Sequence, residues 1–153
     1  MKFSKIIFII SILTLFIGCA SKPSTFVETH DEVGVWKSIQ LHGNYGMFRN
    51  RNREVWRRVI DILSEKYDLE VLDRTSGYIR TSWKYLLDRD DSDKKYRSRV
   101  IIKMLGNIWH TAKLKTEAQW FDDGNDSWIT GYDSVILEEI YKDVQGRIGT
   151  SIR

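Results

Sequence analysis

Cys19 is the only cysteine in a chain of 153 residues, and it closes an apolar run over residues 6–17 that opens with Met1-Lys2 and Lys5. Small Gly18 stands directly before it. A thiol in that position suits attachment of lipid after export. The run is too short to span a bilayer comfortably, and nothing after it resembles a stop-transfer segment, so cleavage is favoured over permanent insertion. The mature chain is therefore expected to begin at Cys19, with residues 1–18 as leader, 19–32 as lipid anchor and tether, and 33–153 as one domain. If lipid consumes the thiol, no disulfide, cysteine-based metal site or thiol nucleophile remains.

Other residues with chemical potential are poorly arranged for catalysis. His30, His42 and His110 are scattered, and the chain contains no GxSxG elbow, phosphate-binding loop, dinucleotide fingerprint or HExxH sequence. His110 reads as a sheet residue near a rim rather than a base. The run Asp122-Asp123-Gly124-Asn125-Asp126 offers hard oxygen ligands but lacks the alternating acids and distal glutamate of a calcium loop. Asp, Asn and Gly are also what turns use, and a solvated turn is the favoured reading. No enzyme activity, no metal and no cofactor beyond the covalent lipid on Cys19 is expected.

Arg49, Arg51, Arg53, Arg57 and Arg58 form the densest basic cluster, with Phe48 and Trp56 close by. That composition suits nucleic acid or phospholipid headgroups. Export argues against nucleic acid, so membrane-surface contact ranks above it, while a solvated arm and helix start is the plainer reading. Arginines gain nothing from the dipole at a helix start, so Arg49 and Arg51 are expected to precede the helix. Overall charge decides little. Removing residues 1–18 takes Lys2 and Lys5 from 24 basic residues and leaves 22 against 21 acids, a net charge of about +1.

Six Trp, seven Tyr and six Phe supply apolar bulk for one packed core. The segment 20–29 is polar, holds the only proline, Pro23, and reads as a tether. Residues 33–41 alternate imperfectly through Val33, Val35 and Ile39, as a first strand or an ordered arm. Over 53–67, Val55, Trp56, Val59, Ile60, Leu63 and Tyr67 recur at helical spacing, with Arg57, Arg58, Asp61 and Glu65 elsewhere. Tyr132, Ile136, Ile140 and Val144 make a second stripe that Val135 and Leu137 widen, and Glu138 stands four residues before Lys142. Thr130 with Asp133 suggests a capping-box start and Gly146 a stop.

Between these helices lie four strand-like runs, over 69–73, 78–84, 96–105 and 109–120, separated by short turns, with a charged hairpin loop over 88–95. Short connections make the sheet antiparallel. The expected fold is α+β, a four-stranded antiparallel sheet with two helices on one face in the order α-β-β-β-β-α. A three-residue loop over 106–108 pairs Val100 with Leu114, Ile102 with Ala112 and Tyr96 with Ala118, which keeps apolar residues on one face. The other face then carries Arg97, Arg99, Lys103, Lys113 and Lys115, joined by Arg80 and Lys84 if Ile79 and Trp83 point inward. Such a face suits an anionic partner such as lipid phosphates, lipopolysaccharide or an acidic protein. It is also what the solvated side of a half-buried sheet ordinarily looks like.

Phe16-Ile17-Gly18-Cys19 resembles the bacterial lipoprotein box. That resemblance implies a diacylglyceryl group on the thiol, cleavage by signal peptidase II and acylation, typically by palmitate, of the new amino group. Each buried methylene adds about 0.8 kcal/mol of membrane affinity, so two or three chains hold a domain where one would not. Ala20-Ser21 contains no aspartate resembling an inner-membrane retention signal, which implies an outer-membrane, periplasm-facing address. The element order is similar to the helix-grip arrangement, and Asp73, Gly77, Ile79, Thr81 and Trp83 resemble a stretch of BamC-type outer-membrane assembly lipoproteins, mainly across residues 55–83. The resemblance implies a non-catalytic binding or scaffolding module of an envelope complex. The alternative is a lipid-carrying or hydrolytic domain with a pocket between sheet and helices, lined by Ile79, Trp83, Ile102 and Leu114.

Overall fold

The alternation that marks residues 96–105 and 109–120 as strands is realised in the two longest strands among the described residues. In a computed structural model covering residues 22–29, 34–42, 48–85 and 95–150, β6 (Tyr96–Leu105) and β7 (Thr111–Asp122) form the centre of the sheet. The other strands are β1 (Phe26–Glu28), β2 (Lys37–Gln40), β3 (Leu69–Asp73), β4 (Tyr78–Thr81), β5 (Lys84–Tyr85) and β8 (Ser127–Asp133). Two helices, α1 (Phe48–Ser64) and α2 (Ser134–Ile148), complete the order. Cys19, the leader and residues 88–94 of the charged loop lie outside the described residues.

All strand pairs are antiparallel, and the sheet has eight strands, which corrects the expected four. Strand length is the reason. β7 has twelve residues, so one edge of it holds β2 beside Thr111–Leu114 and β8 beside Ala118–Asp122. β6 holds β4 and β5 in the same way on its far edge, while β3 and β1 add the outermost positions. The extra strands fall where local periodicity is weak: β1 interrupts the segment read as a tether, and β8 takes in Thr130, Tyr132 and Asp133, which were read as the start of a helix.

The β6–β7 register pairs Ile102 with Leu114, Met104 with Ala112 and Val100 with Thr116. This is displaced by two residues from the expected pairing, because the connection runs over 106–110 rather than 106–108. A shift of two preserves the face of every side chain, where a shift of one would have inverted them all. Gly106 makes the left-handed step of this turn, at φ +81°.

Helix α1 starts five residues before the expected position, so Arg49 and Arg51 lie within its first turn. Its stripe of Val55, Val59, Ile62 and Leu63 packs with Leu137, Ile140, Val144 and Ile148 of α2 over Ile39, Ile79, Val100, Ile102, Ala112 and Leu114 of the sheet. Helix α2 begins where β8 ends, because the Asp133 carboxylate accepts from the backbone amides of Val135 and Ile136 at 2.9 and 2.8 Å. It passes through Gly146 and stops at Gly149, whose amide donates to Gln145 O at 2.9 Å. Ion pairs join the turn that follows α1 to α2: Arg147 meets Glu65 at 2.6 Å, and Lys66 meets Glu139 and Asp143 at 3.2 and 3.3 Å.

Candidate functional site: the outer face of the sheet

Both helices cover one face of the sheet, so residues of opposite parity on β6 and β7 line the other. On β6 these are Arg97, Arg99, Ile101 and Lys103; on β7 they are Lys113, Lys115, Glu117 and Gln119. Arg80 joins them from β4, opposite Ile101. The structure therefore brings together six of the seven residues expected on a basic face.

Lys84 is the exception, and the cause is a one-residue slip. β4 pairs Arg80 with Ile101, whereas β5 pairs Lys84 with Ser98 rather than Arg97, so Ser82 and Trp83 insert one extra residue against β6. Thr81 fills the break by accepting the Val100 amide on its hydroxyl at 2.9 Å. Lys84 is consequently turned to the helix side, where its Nζ donates to Lys66 O at 3.1 Å and lies 5.2 Å from the Tyr67 ring centre. Trp83, expected inward, is turned outward.

On this face Trp83 stacks with two arginines, Arg99 at 4.3 Å and Arg97 at 4.8 Å from guanidinium carbon to ring centre. Arg97 also lies 4.2 Å from the Trp128 ring and donates to Gln119 Oε1 at 2.9 and 2.6 Å. Arg99 and Lys115 converge on Glu117 at 2.6 and 2.8 Å. Lys115, only 7% exposed, lies 5.2 Å from the Trp36 ring. Burial pushes the Glu117 carboxyl up, but hydrogen bonds from Lys115 and Arg99 outweigh it and hold the group below its ordinary value. Arg80 pairs with Glu70 at 3.0 Å.

Much of the expected positive charge is thus spent within the face. Lys103 and Lys113 differ. They are direct cross-strand partners, both exposed, and neither has an acidic partner among the described residues. Ser38 on β2 pairs with Lys113, and Tyr78 on β4 pairs with Lys103, so one row across four strands reads hydroxyl, ammonium, ammonium, phenol. Opposed like charges in a sheet are unfavourable when nothing neutralises them.

The basic cluster of α1 does not form an arm. Arg51 is 2% exposed and donates to the Trp109 carbonyl at 2.9 Å and the Leu41 carbonyl at 3.4 Å, tying α1 to β2 and to the β6–β7 turn. Arg57 and Arg58 both bond to Glu54, at 3.0 and 2.9 Å, and Arg53 to Asn50 at 3.2 Å. The Arg49 side chain lies outside the described residues. Arg51 escaped sequence reasoning because a buried arginine among exposed ones has no local signature. Trp128 and Tyr85 escaped because their strands did; Glu117 shares the parity of Arg99 and was legible.

The space proposed for a pocket between sheet and helices is filled: Ile79, Ile102 and Leu114 are each 0% exposed within the core. A cleft of about 470 Å³ lies instead at the end of α1, where Ser64, Lys66 and Tyr67 face Ser82, Trp83 and Lys84. In the loop between β7 and β8 the Asp122 carboxylate accepts from the Gly124 amide at 3.0 Å and the Asn125 side chain at 2.6 Å, and Lys95 pairs with Asp123 at 2.5 Å. No helix among the described residues is long and apolar enough to cross a membrane. No known family model matches the chain, and no curated protein is significantly similar to it.

Proposed function

We propose that the protein is a lipid-anchored envelope lipoprotein, facing the periplasm from the outer membrane, that acts as a non-catalytic binding or scaffolding module through the outer face of its sheet. The observation that carries this reading is the face itself: arginines braced by Trp83, Trp128 and Glu117 lie along the same face as Lys103 and Lys113, which lack acidic partners among the described residues. A braced aromatic and cationic surface loses little side-chain freedom on binding. The filled core beneath the sheet supports this reading over a lipid-carrying or hydrolytic pocket.

Anchoring rests on Cys19 and the apolar run before it. Mass spectrometry of the native protein tests it: the expected product begins at Cys19 and carries diacylglyceryl and acyl groups, and a different amino terminus or an unacylated cysteine overturns it. The binding role is tested by crosslinking in intact envelopes with the acylated protein. Crosslinks should concentrate on β6 and β7 and fall when Lys103 and Lys113 are replaced by glutamate; crosslinks confined to the helical side overturn it.

A further inference from the structure

We infer that the row Ser38, Lys113, Lys103 and Tyr78 is a site for phosphate groups of anionic lipid, laying the outer face of the sheet on the bilayer that carries the anchor. This deepens the binding role above and rests on the acyl-anchor reading. Three observations point to lipid. Two adjacent ammonium groups without an acidic partner among the described residues complement neighbouring headgroup phosphates, and flanking hydroxyls can donate to the same oxygens. Trp36 and Trp83, on the same face, are amphipathic rings suited to headgroup depth. The third is reach: Phe26 is seven residues beyond Cys19 and already paired in β1, and seven residues extend at most about 25 Å, so the domain stays against the surface that anchors it.

The test uses the acylated protein in vesicles of phosphatidylcholine alone or mixed with phosphatidylglycerol. A water-soluble amine-reactive reagent is applied, and modification rates at individual lysines are read by mass spectrometry. Lys142, on α2 and 73% exposed in its side chain, is the reference. Lys103 and Lys113 should react about fivefold more slowly in phosphatidylglycerol vesicles, the factor expected of one surface lysine, with Lys142 unchanged and high salt removing the difference. Lys113→Glu should release Lys103 from protection, while Lys113→Arg should keep it. Both positions are exposed, so neither substitution disturbs the core.

Equal rates in both vesicle types overturn the docking; if the protein floats with both, the anchor reading survives. Flotation and protection only with phosphatidylglycerol sustain the docking and overturn the anchor. Equal protection by inorganic phosphate in lipid-free solution assigns the row to free anions and overturns the bilayer surface as its occupant. Protection that needs added envelope protein assigns it to an acidic protein and does the same.

Discussion

The Tyr96 hydroxyl donates to the Asp133 carboxylate at 2.5 Å, joining the first residue of β6 to the residue that ends β8 and caps α2. Thr25, the residue before β1, donates to the same carboxylate at 2.8 Å, so the start of β1, β6, β8 and α2 meet at one buried acid. Burial and the adjacent carboxylate push the Tyr96 phenol well above its ordinary value, which favours the protonated donor. Asp133→Ala removes the cap and leaves two hydroxyls without their acceptor, and should cost about 3 kcal/mol in urea unfolding. Tyr96→Phe should cost about 1 kcal/mol, since the carboxylate keeps its other donors. A loss for Asp133→Ala no larger than for Asp123→Ala would show that the hub contributes no more than an exposed carboxylate.

The elements with strong local periodicity were legible. Residues 69–73 and 96–105 are β3 and β6, and the parity that put Arg97 and Lys113 opposite the core needed only alternation. What escaped was set at a distance. Ser-Trp-Ile-Thr-Gly-Tyr-Asp of β8 has apolar residues on both faces because Trp128 stacks outward on Arg97 while Ile129 packs inward with Trp120 and Phe26. Phe26 sits in a polar segment whose strand exists only because β8 is there to pair with it. The slip at Ser82-Trp83 depends on Thr81 replacing a ladder bond with its side chain, which no spacing rule encodes. The rest of the candidate site was half visible: alternation puts Glu117 on the outer face, but the expected register sets it opposite Arg97 rather than its actual partner Arg99, and Trp83 was expected to point inward.

Among the described arginine side chains of its cluster, Arg51 alone is buried. Its donors satisfy the carbonyls of Leu41 and Trp109, at the end of β2 and in the connection between β6 and β7. Arg51→Met preserves the stem but leaves those carbonyls unpaired, at about 1–3 kcal/mol. Arg53→Met, on an exposed position, should be within about 0.5 kcal/mol of wild type. Amide exchange at Leu41, whose N–H bonds to His110 O at 2.8 Å, should quicken in the first variant alone. Equal stability of the two variants would show that the clamp contributes nothing.

Glu117 makes stability pH-dependent from within the outer face. Its folded-state value is depressed, so ionised Glu117 stabilises the fold above the ordinary carboxylate range, and that contribution disappears as pH falls through the depressed value. The urea midpoint of wild type should therefore fall on acidification by more than that of Glu117→Gln, while at neutral pH Glu117→Gln should be the less stable protein. Parallel acid limbs for the two would assign the pH dependence to other carboxylates, among them Glu54 and Glu65, which arginine partners also hold low.

Gly131 and Gly146 should respond oppositely to the same substitution. A Cβ on Gly131 would stand 2.1 Å from Val27 O and 2.8 Å from Phe26 Cζ, so Gly131→Ala must push β1 off β8. Losing the burial of Phe26 costs about 1.5–3 kcal/mol, and exchange of the Thr29 and Ser134 amides, which bond across this seam, should accelerate. Gly146, inside α2, has nothing within 4 Å of an added Cβ, and Gly146→Ala should stabilise by about 0.5–1 kcal/mol. Detaching β1 would also move the first fixed residue from Phe26 towards β2, lengthening the chain between Cys19 and the sheet. Protection of Lys103 on anionic vesicles should then weaken in Gly131→Ala while flotation persists, and unchanged protection would mean that anchor length does not hold the face to the bilayer.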